Sequence, residues 1–341
     1  KNKQAVNQAR VDQEVKDKLI TYQSNLKDAK VKLDRARKAY SDLKEEVGDQ
    51  YDDLKEDVSD QEKGTGVSVI LAPEGAVGGV SVRGSAPGTR ETDLLKADAL
   101  VDKINAVVLA GGSAFGLEAS CGVMQYLHEK NLGYNTGTQT VPIVCSAVIY
   151  DLDYKGFAYP DMKMGYAAAK AAKANNVLMG NVGAGTGATV GKIMGLRAAD
   201  KGGLGVARAK LGTIEIMAIV AVNAFGDIYE DNQIIAGVKT DEGQFLNTCN
   251  LLLSDIEIDK KMKNTTIGCI LTNAILTKAQ ANKLADQAHN AFAMTIRPVH
   301  TMLDGDTIFV MASGEEEAEF VQLAEAAVSV MAKAVTNAVK R

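Results

Sequence analysis

After residue 63, short apolar stretches alternate with longer amphipathic ones, and this alternation constrains the fold more than any other feature. Five stretches rich in β-branched residues have the length of strands, and they span residues 67–71, 106–109, 141–150, 214–222 and 266–271. Four stretches have the apolar spacing of helices, and they span residues 116–127, 165–174, 277–295 and 315–340. Because sheets and helices must bury their apolar faces against one another, the pattern predicts a layered α/β fold.

Two of the predicted helices also carry signals at their ends. Thr277 and Gln280 have the spacing of a capping box, in which each side chain bonds the backbone N–H of the other residue. The last predicted helix opens with three glutamates, residues 315–317, and closes with Lys340 and Arg341. This order of charges favours a helix because it complements the helix dipole.

The first 63 residues have a different composition, with 14 Lys or Arg, 15 Asp or Glu and no glycine before Gly48. Their apolar residues follow the 4-3 spacing of a heptad repeat, which predicts a long helix with one buried stripe. The heptad positions are Val15, Leu19, Tyr22, Leu26, Ala29, Leu33, Ala36, Tyr40, Leu43 and Val47. We therefore divide the chain into residues 1–57 and 58–341. The helix fits an oligomerisation arm, a helix packed on its own domain, or an appended segment without catalytic relevance.

Charge and composition exclude several classes of function. The net charge of −5 disfavours nucleic acid as a partner, because phosphate binding needs a basic face. No apolar run approaches the roughly 20 residues of a transmembrane helix. Neither the cysteines nor the histidines have the spacing of a metal site, so we expect reduced thiols, no metal and a cytoplasmic protein. These residues are Cys121, Cys145, Cys249, Cys269, His128, His289 and His300.

Three glycine clusters flank strand-like stretches, at residues 84–88, 111–116 and 180–187. None is a convincing nucleotide site. The second lacks the GxGxxG spacing, and the third lacks an acidic residue at a strand end about 20 positions later. The Walker motif is absent because Lys192 is followed by Ile193. Tight turns and anion or oxyanion pockets built from backbone N–H groups explain these glycines better.

Two polar segments stand next to predicted strands and carry the strongest chemical signal. Asn264 and Thr265 directly precede one strand, and Asp304 and Asp306 flank a glycine before another. Carboxylates at a strand end can orient a nucleophile or bind a metal, and they also commonly cap a turn. The residues alone leave these alternatives open.

Six motifs, in order along the chain, resemble those of the P1 (DmpA-like) family of self-processing peptidases and amidohydrolases. They are Gly-Gly-Ser-Ala-Phe-Gly-Leu-Glu (111–118), Ser-Ala-Val-Ile-Tyr-Asp (146–151), Gly-Ala-Thr-Val-Gly-Lys (187–192), Val-Asn-Ala-Phe-Gly (222–226), Asn-Thr-Thr-Ile (264–267) and Asp-Gly-Asp-Thr-Ile-Phe (304–309). The resemblance runs from about residue 64 to the C-terminus. Residues 1–57 are a departure, since family members usually begin with a short strand.

The resemblance implies an αββα fold of the N-terminal-nucleophile type, shared with ornithine acetyltransferases, for residues 58–341. It also implies self-cleavage between Asn264 and Thr265, which makes Thr265 the N-terminal nucleophile of an amide hydrolase. The new α-amine, with a pKa near 8, would take the proton of the threonine hydroxyl. Asp304 and Asp306 match the family carboxylates that orient Thr265.

Three further residues are assigned by the same resemblance. Lys192 would supply positive charge, Asn223 would donate a hydrogen bond to the oxyanion, and Tyr150 would line the pocket. The simpler alternatives are a solvated loop lysine, a capped strand end and an amphipathic core tyrosine. The resemblance further implies no metal or organic cofactor and a homotetramer or similar assembly. The closest match in motif is to nylon-oligomer hydrolases, so the expected substrate is a small peptide, an amino acid amide or a linear polyamide oligomer.

Three alternatives compete with this interpretation. Thr266 is a rival nucleophile, but strand alternation would point its side chain to the opposite face. An acyltransferase of the ornithine acetyltransferase type also cleaves itself before a threonine. A non-catalytic scaffold that functions through its heptad helix is the alternative from another class.

Overall fold

The computed structural model describes residues 58–173, 178–255 and 263–340. The predicted heptad helix of residues 1–57, and its boundary with the α/β domain, therefore lie outside the described residues. In the described part, no helix is both long and apolar enough to span a lipid bilayer.

Within the described residues, one large sheet has nine strands: β1 (Ser59–Asp60), β2 (Thr65–Val82), β3 (Thr89–Arg90), β4 (Lys103–Ala110), β7 (Val144–Val148), β10 (Gly203–Leu211), β11 (Ile214–Asn223), β14 (Thr265–Ala274) and β16 (Thr307–Glu316). Their order in the sheet is β10-β11-β14-β16-β2-β4-β7-β3, and β1 pairs with β2 off this path. The pairs β14–β16 and β4–β7 are parallel, and the other pairs are antiparallel.

Three smaller sheets and five α-helices complete the described fold. The short strands are β5 (Tyr134–Asn135) with β6 (Thr140–Val141), β8 (Thr189–Val190) with β9 (Asp200–Lys201), and β12 (Asp227–Glu230) with β13 (Gln233–Ala236) and β15 (Ile296–Arg297). The helices are α1 (Ala119–Glu129), α2 (Met162–Ala171), α3 (Thr248–Leu252), α4 (Lys278–Thr295) and α5 (Phe320–Val339).

The large sheet folds back on itself, so that its two halves face each other across one apolar core. Ile267 and Phe309 enter this core from β14 and β16, and Leu109 and Cys145 enter it from β4 and β7. The change of direction falls in β2, whose pairing with β4 shifts register between Leu71 and Ala76. One sheet layer is therefore contributed by β10, β11, β14 and β16, and the other by β4 and β7.

Helices cover the outer face of each sheet layer. Helices α4 and α5 bury alanines and larger apolar residues against β11, β14 and β16. Helices α1 and α2 do the same against β2, β4 and β7. The order of layers is helix, sheet, sheet and helix, so the predicted αββα architecture is confirmed.

The helix ends test the sequence signals directly. The capping box before α4 is confirmed, because Gln280 N–H donates to Thr277 Oγ1 at 3.2 Å and Thr277 N–H donates to Gln280 Oε1 at 2.9 Å. The predicted start of the last helix at residue 315 is wrong. Glu316 still pairs with Ala274 as part of β16, and α5 begins only at Phe320, capped by Glu319. Strand pairing outweighs the acidic signal here.

Candidate active site

The candidate residues come together where three neighbouring strands begin or end at one edge of the large sheet. Asn223, the last residue of β11, lies directly opposite Thr265, the first residue of β14. The loop before β16 runs beside this pair, and Asn264 forms a parallel bridge with Asp304. Sequence-distant residues meet here because antiparallel β11 and parallel β16 flank the same strand.

Thr265 is buried and its hydroxyl contacts the peptide group that precedes it. The Thr265 hydroxyl donates a hydrogen bond to the carbonyl oxygen of Asn264, and the backbone N–H of Gly305 donates to the same oxygen at 3.0 Å. A Cβ on Gly305 would lie 2.9 Å from Thr265 Oγ1 and 2.5 Å from the carbonyl oxygen of Ala86. Glycine is therefore the residue that leaves room for the hydroxyl at this point.

Strand alternation separates the two threonines. Ile267 lies in the core between the sheet layers, and Ile270 lies in the core beneath α4 and α5. Side chains alternate along a strand, so Thr265 shares the inner face with Ile267, and Thr266 faces the helices. The Thr265 hydroxyl is therefore the one on the side where the two sheet layers meet.

Asp306 is held by three N–H donors on two sides of its carboxylate. The backbone N–H of Thr266 donates to Asp306 Oδ1 at 2.7 Å. On the other side, the backbone N–H of His300 donates to Oδ2 at 3.2 Å, and His300 Nδ1 lies 2.8 Å from the same oxygen. Since a carboxylate accepts hydrogen bonds, His300 Nδ1 is the protonated ring nitrogen. Asp306 thus stays fixed beside the strand that carries Thr265.

Asp304 is almost completely buried and is anchored by its own loop and by the end of β11. Its Oδ2 accepts hydrogen bonds from the Thr301 hydroxyl at 2.5 Å and the Thr301 N–H at 3.1 Å, and its Oδ1 accepts the Phe225 N–H at 3.3 Å. Burial, with the nearby Asp306 charge adding to it, raises the pKa of Asp304 to about 6. Asp304 can therefore exchange a proton near neutral pH.

Lys192 is 3% exposed, so the alternative of a solvated loop lysine is wrong. Its Nζ donates to the backbone oxygen of Asn223 at 3.0 Å and to Asn223 Oδ1 at 2.8 Å. Burial lowers the pKa of Lys192 to about 7, against the opposing attraction of Asp304 and Asp151. A lysine in this state can supply either a positive charge or a neutral amine beside Asn223.

Asn223 links Lys192 to the segment that follows β7. Its Oδ1 accepts the N–H of Thr189 at 3.0 Å as well as Lys192 Nζ, and its Nδ2 donates to the backbone oxygen of Tyr150 at 3.0 Å. One hydrogen of the Asn223 Nδ2 group is therefore used in this bond, and the second hydrogen is available to a ligand. The Tyr150 hydroxyl donates to Asp153 Oδ2 at 2.8 Å, so it contacts an exposed loop residue instead of the buried polar groups.

The chemistry available at this edge is that of acyl transfer by a hydroxyl. A buried hydroxyl, the carbonyl it contacts, a backbone donor to that carbonyl, two acids and one lysine lie together. Among the described residues, no group of three or more His, Cys, Asp or Glu side chains is arranged to hold a metal ion.

Comparison with known proteins places the chain in a family. The sequence model of peptidase family S58 matches residues 46–341. The chain belongs to peptidase family S58. It is thus a hydrolase of the peptidase type, as expected.

Two groups of relatives cover most of this S58 chain. An uncharacterized aminopeptidase of Mycobacterium tuberculosis is 40% identical over 260 residues, which are 73% of each chain. The 6-aminohexanoate-oligomer endohydrolase of an Agromyces species is 33% identical over 258 residues, which are 74% of this chain and 70% of the relative. The resemblance predicted from the sequence motifs is confirmed by these matches.

Solved structures support the fold. The β-aminopeptidase of a Burkholderia species has a TM-score of 0.57 at 18% identity and covers 80% of this chain and 78% of its own. The L-aminopeptidase D-Ala-esterase/amidase of Ochrobactrum anthropi has a TM-score of 0.58 at 16% identity and covers 82% and 86%. The latter is described as a new variant among Ntn hydrolase folds. The predicted N-terminal-nucleophile type of fold is confirmed.

The S58 site also contains residues that the sequence did not reveal. His300 holds Asp306, and the His289 ring packs on the His300 ring with 4.8 Å between centroids. His289 Nε2 contacts the backbone oxygen of Ser81 at 3.0 Å, and burial lowers the pKa of His289 to about 4. No spacing signal could have found this pair, because one histidine lies on α4 and the other in the loop before β16.

Asp151 is the other residue missed. It is buried next to Tyr150, and its Oδ1 accepts the N–H of Gly112 at 2.6 Å. Burial raises the pKa of Asp151 to about 6. The motif Ser-Ala-Val-Ile-Tyr-Asp contained this carboxylate, so a signal was present in the sequence.

Proposed function

We propose that this S58 chain is a self-processing amide hydrolase whose nucleophile is the hydroxyl of Thr265. The observation that carries the proposal is the contact between this buried hydroxyl and the carbonyl of Asn264. Nucleophilic attack needs the hydroxyl beside the carbonyl and a donor for the developing oxyanion. The N–H of Gly305 is already bonded to that carbonyl oxygen at 3.0 Å and supplies the donor.

Self-cleavage proceeds by an N-to-O acyl shift followed by hydrolysis. Thr265 Oγ1 attacks the carbonyl carbon of Asn264, the Oγ–C bond forms, and the C–N bond between residues 264 and 265 breaks. The hydroxyl proton ends on the Thr265 nitrogen, which becomes a free α-amine. Water then cleaves the ester, leaving a carboxylate on Asn264 and restoring the Thr265 hydroxyl.

In turnover, the α-amine of Thr265 is the general base. It takes the hydroxyl proton as the oxygen attacks the substrate carbonyl, and the acyl group is carried as an ester on Thr265. The amine product leaves with a proton, and water releases the acid. Asp306 and Asp304 offset the positive charge of the protonated α-amine, and His300 positions Asp306 through its two donors.

Lys192 and Asn223 act from the end of β11, which pairs with Thr265. Lys192 supplies positive charge toward the developing oxyanion, and Asn223 fixes the lysine through two hydrogen bonds. The second Nδ2 hydrogen of Asn223 donates to the substrate oxyanion. One such donor typically contributes about 3 kcal/mol to the transition state. Tyr150 contributes its backbone oxygen, which orients the Asn223 amide.

The names of the relatives guide the choice of substrate. An aminopeptidase and a 6-aminohexanoate-oligomer endohydrolase both act on amide bonds, so we propose a small peptide, an amino acid amide or a linear polyamide oligomer. Nucleophile, base and oxyanion donors all come from the chain, and no cofactor is required. The family resemblance favours a homo-oligomer such as a tetramer.

A denaturing gel with intact mass measurement tests the proposal. Wild type should yield fragments of residues 1–264 and 265–341 and hydrolyse amides. Thr265→Ala should stay full length and inactive, whereas Thr266→Val, which removes the rival hydroxyl at constant shape, should still be cleaved. An intact wild-type chain with full activity would refute the mechanism, because the α-amine would never form. Activity with an added amine acceptor exceeding hydrolysis would favour the acyltransferase alternative.

A further inference from the structure

Asn264, the residue before the proposed cleavage point, is hydrogen-bonded to residues 303–305 like one residue of a neighbouring β-strand. Asn264 N–H donates to the backbone oxygen of Leu303 at 3.0 Å, and Gly305 N–H donates to the backbone oxygen of Asn264 at 3.0 Å. Between these two bonds, Asn264 forms its parallel bridge with Asp304. Asn264 is 1% exposed, so its whole acyl group is enclosed. We name backbone residues 303–305 the acyl edge.

The chemistry of self-cleavage makes this arrangement informative about turnover, and the inference rests on the proposed function. After the N-to-O shift, the chain ending at Asn264 is an ester on Thr265 Oγ1, and Thr265 has a free α-amine. A turnover intermediate is the same species with a different acyl group: an ester on the same oxygen beside the same amine. The position of Asn264 therefore marks the position of the substrate acyl residue.

We propose that the acyl edge is the acyl-side binding groove of the mature enzyme. The substrate carbonyl oxygen takes the Gly305 N–H, and an N–H on the carbon next to that carbonyl donates to Leu303 O. This pairing selects amides of α-amino acids in an extended conformation. The nitrogen can also carry a further acyl group, because the Asn264 nitrogen continues into Lys263.

The same spacing narrows the substrate classes proposed above, because it disfavours ω-amino acyl groups and therefore polyamide oligomers built from them. In a 6-aminohexanoyl group, the nitrogen lies five carbons from the carbonyl carbon, instead of one as in Asn264. When the carbonyl oxygen of this group accepts the Gly305 N–H, its nitrogen lies too far along to donate to the backbone oxygen of Leu303. A methylene group faces the Leu303 oxygen instead. A buried carbonyl without its donor is unfavourable, so binding and turnover fall.

The side chain of residue 264 indicates which probe to use. Asn264 Nδ2 lies 3.4 Å from Leu303 O, and Asn264 Oδ1 is buried without a hydrogen-bond partner among the described residues. An alanyl group fits within the same volume and leaves no buried oxygen unpaired. Alanyl probes therefore test the backbone pairing with least interference from the side chain.

The experiment compares four p-nitroanilides on purified, self-cleaved wild type: alanyl, N-acetylalanyl, 2-methylpropanoyl and 6-aminohexanoyl. The 2-methylpropanoyl group matches alanyl in shape but has a methyl in place of the amine. Each kcat/KM is divided by the hydroxide-catalysed rate of the same anilide, which removes differences in carbonyl reactivity. Alanyl and N-acetylalanyl should exceed 2-methylpropanoyl by about tenfold or more, the usual effect of one hydrogen bond to a charged or buried partner. The 6-aminohexanoyl anilide should be no better than 2-methylpropanoyl.

The outcomes separate this proposal from the function on which it rests. If the chain cleaves itself but the corrected values are equal, or 6-aminohexanoyl is preferred, the acyl edge is not the groove. The same conclusion holds if the cleaved enzyme leaves both alanyl probes intact or accepts only the free amine. If wild type never cleaves, the proposed function fails and the acyl edge fails with it.

Discussion

Two regions of the molecule each bury a lysine, and they differ in how many hydrogen-bond acceptors they place around its amino group. Near the start of α4, Lys278 is 6% exposed and donates to three backbone oxygens, those of Leu94, Ala99 and Val101, at 2.9–3.0 Å. At the candidate site, Lys192 is 3% exposed and donates twice, both times to Asn223. The first ammonium is fully coordinated by one loop, and the second is not.

The difference indicates what each region is for. Three carbonyls satisfy the three hydrogens of an ammonium group, so Lys278 ties the loop of residues 94–101 to α4 and stabilises the fold. Lys192 has its pKa lowered to about 7 by burial, which means that the fold bears a cost to keep an amine there. Costs of this kind concentrate at functional sites. Substitutions at the two lysines should therefore separate activity from stability.

The largest effect is expected from Lys192→Met. Removing the charge beside Asn223 should lower kcat by about 10²–10³-fold, the usual loss for one group that stabilises an oxyanion. Thermal unfolding should change less than in Lys278→Met, because removing a buried amine whose pKa is lowered by burial offsets the two hydrogen bonds lost at Asn223. Steady-state kinetics and thermal unfolding of both proteins measure this. A variant with normal kcat would remove Lys192 from the proposed mechanism.

Asp304 should make the stability of the site region depend on pH. Its pKa is about 6 in the folded chain and 3.8 in the reference state, so the folded state favours the protonated acid. Stability from this group is complete below pH 3.8 and is lost as pH rises to about 6. In a Thr265→Ala background, Asp304→Asn should remove that loss, which is about 3 kcal/mol above pH 6. Denaturant unfolding of both proteins between pH 4 and 8 measures this loss. If their free energies of unfolding change in parallel with pH, the raised pKa of Asp304 is contradicted.

Lys278→Met is the matched opposite of Lys192→Met. It leaves three buried carbonyls without their donor, so unfolding free energy should fall by about 2 kcal/mol. The rate of self-cleavage and kcat should stay within about twofold of wild type, because the three hydrogen bonds of Lys278 all go to the loop of residues 94–101. Denaturant unfolding and kinetics on the same preparation test both parts. A loss of activity at unchanged stability would contradict the assignment of Lys278 to the stability of the fold.

The sequence predicted the layers of the fold better than it predicted the state of the site. Strand composition identified β11 and β14, and the capping box located the start of α4, because these signals are local. The sequence places the start of the last helix too early, because Glu315 and Glu316 belong to β16, whose extent depends on its pairing with β14.

The site shows the same limit more sharply. Motif order pointed to Thr265 and Asp304, and the structure brings them together at one sheet edge. Nothing local reveals that Lys192, in a glycine-rich loop, is buried, because burial comes from the packing of distant segments. His300 was missed for the same reason. The catalytic roles of all these residues stay predictions.

The smallest effect is expected at His300, where the backbone and side-chain contributions can be separated. His300 has a φ of 55°, a conformation that glycine and asparagine tolerate well. His300→Gly keeps this backbone but removes the Nδ1 donor to Asp306, whereas His300→Asn places an amide donor near the same position. The glycine variant should therefore lose about tenfold in self-cleavage rate and kcat with little change in KM, since a hydrogen bond to a carboxylate is lost. Asparagine should restore most of both rates.

The control for His300 is His128→Ala, which removes a histidine on α1 whose Nδ1 lies 3.2 Å from the backbone oxygen of Thr140. Its self-cleavage and kcat should match wild type. A purely structural role for His300 would lower thermal stability in both variants and leave kcat per folded molecule unchanged. Rates equal to wild type in both variants would show that the backbone N–H groups of Thr266 and His300 are sufficient to position Asp306. In that case backbone donors would hold Asp306, whereas the side chain of Lys278 holds the loop of residues 94–101.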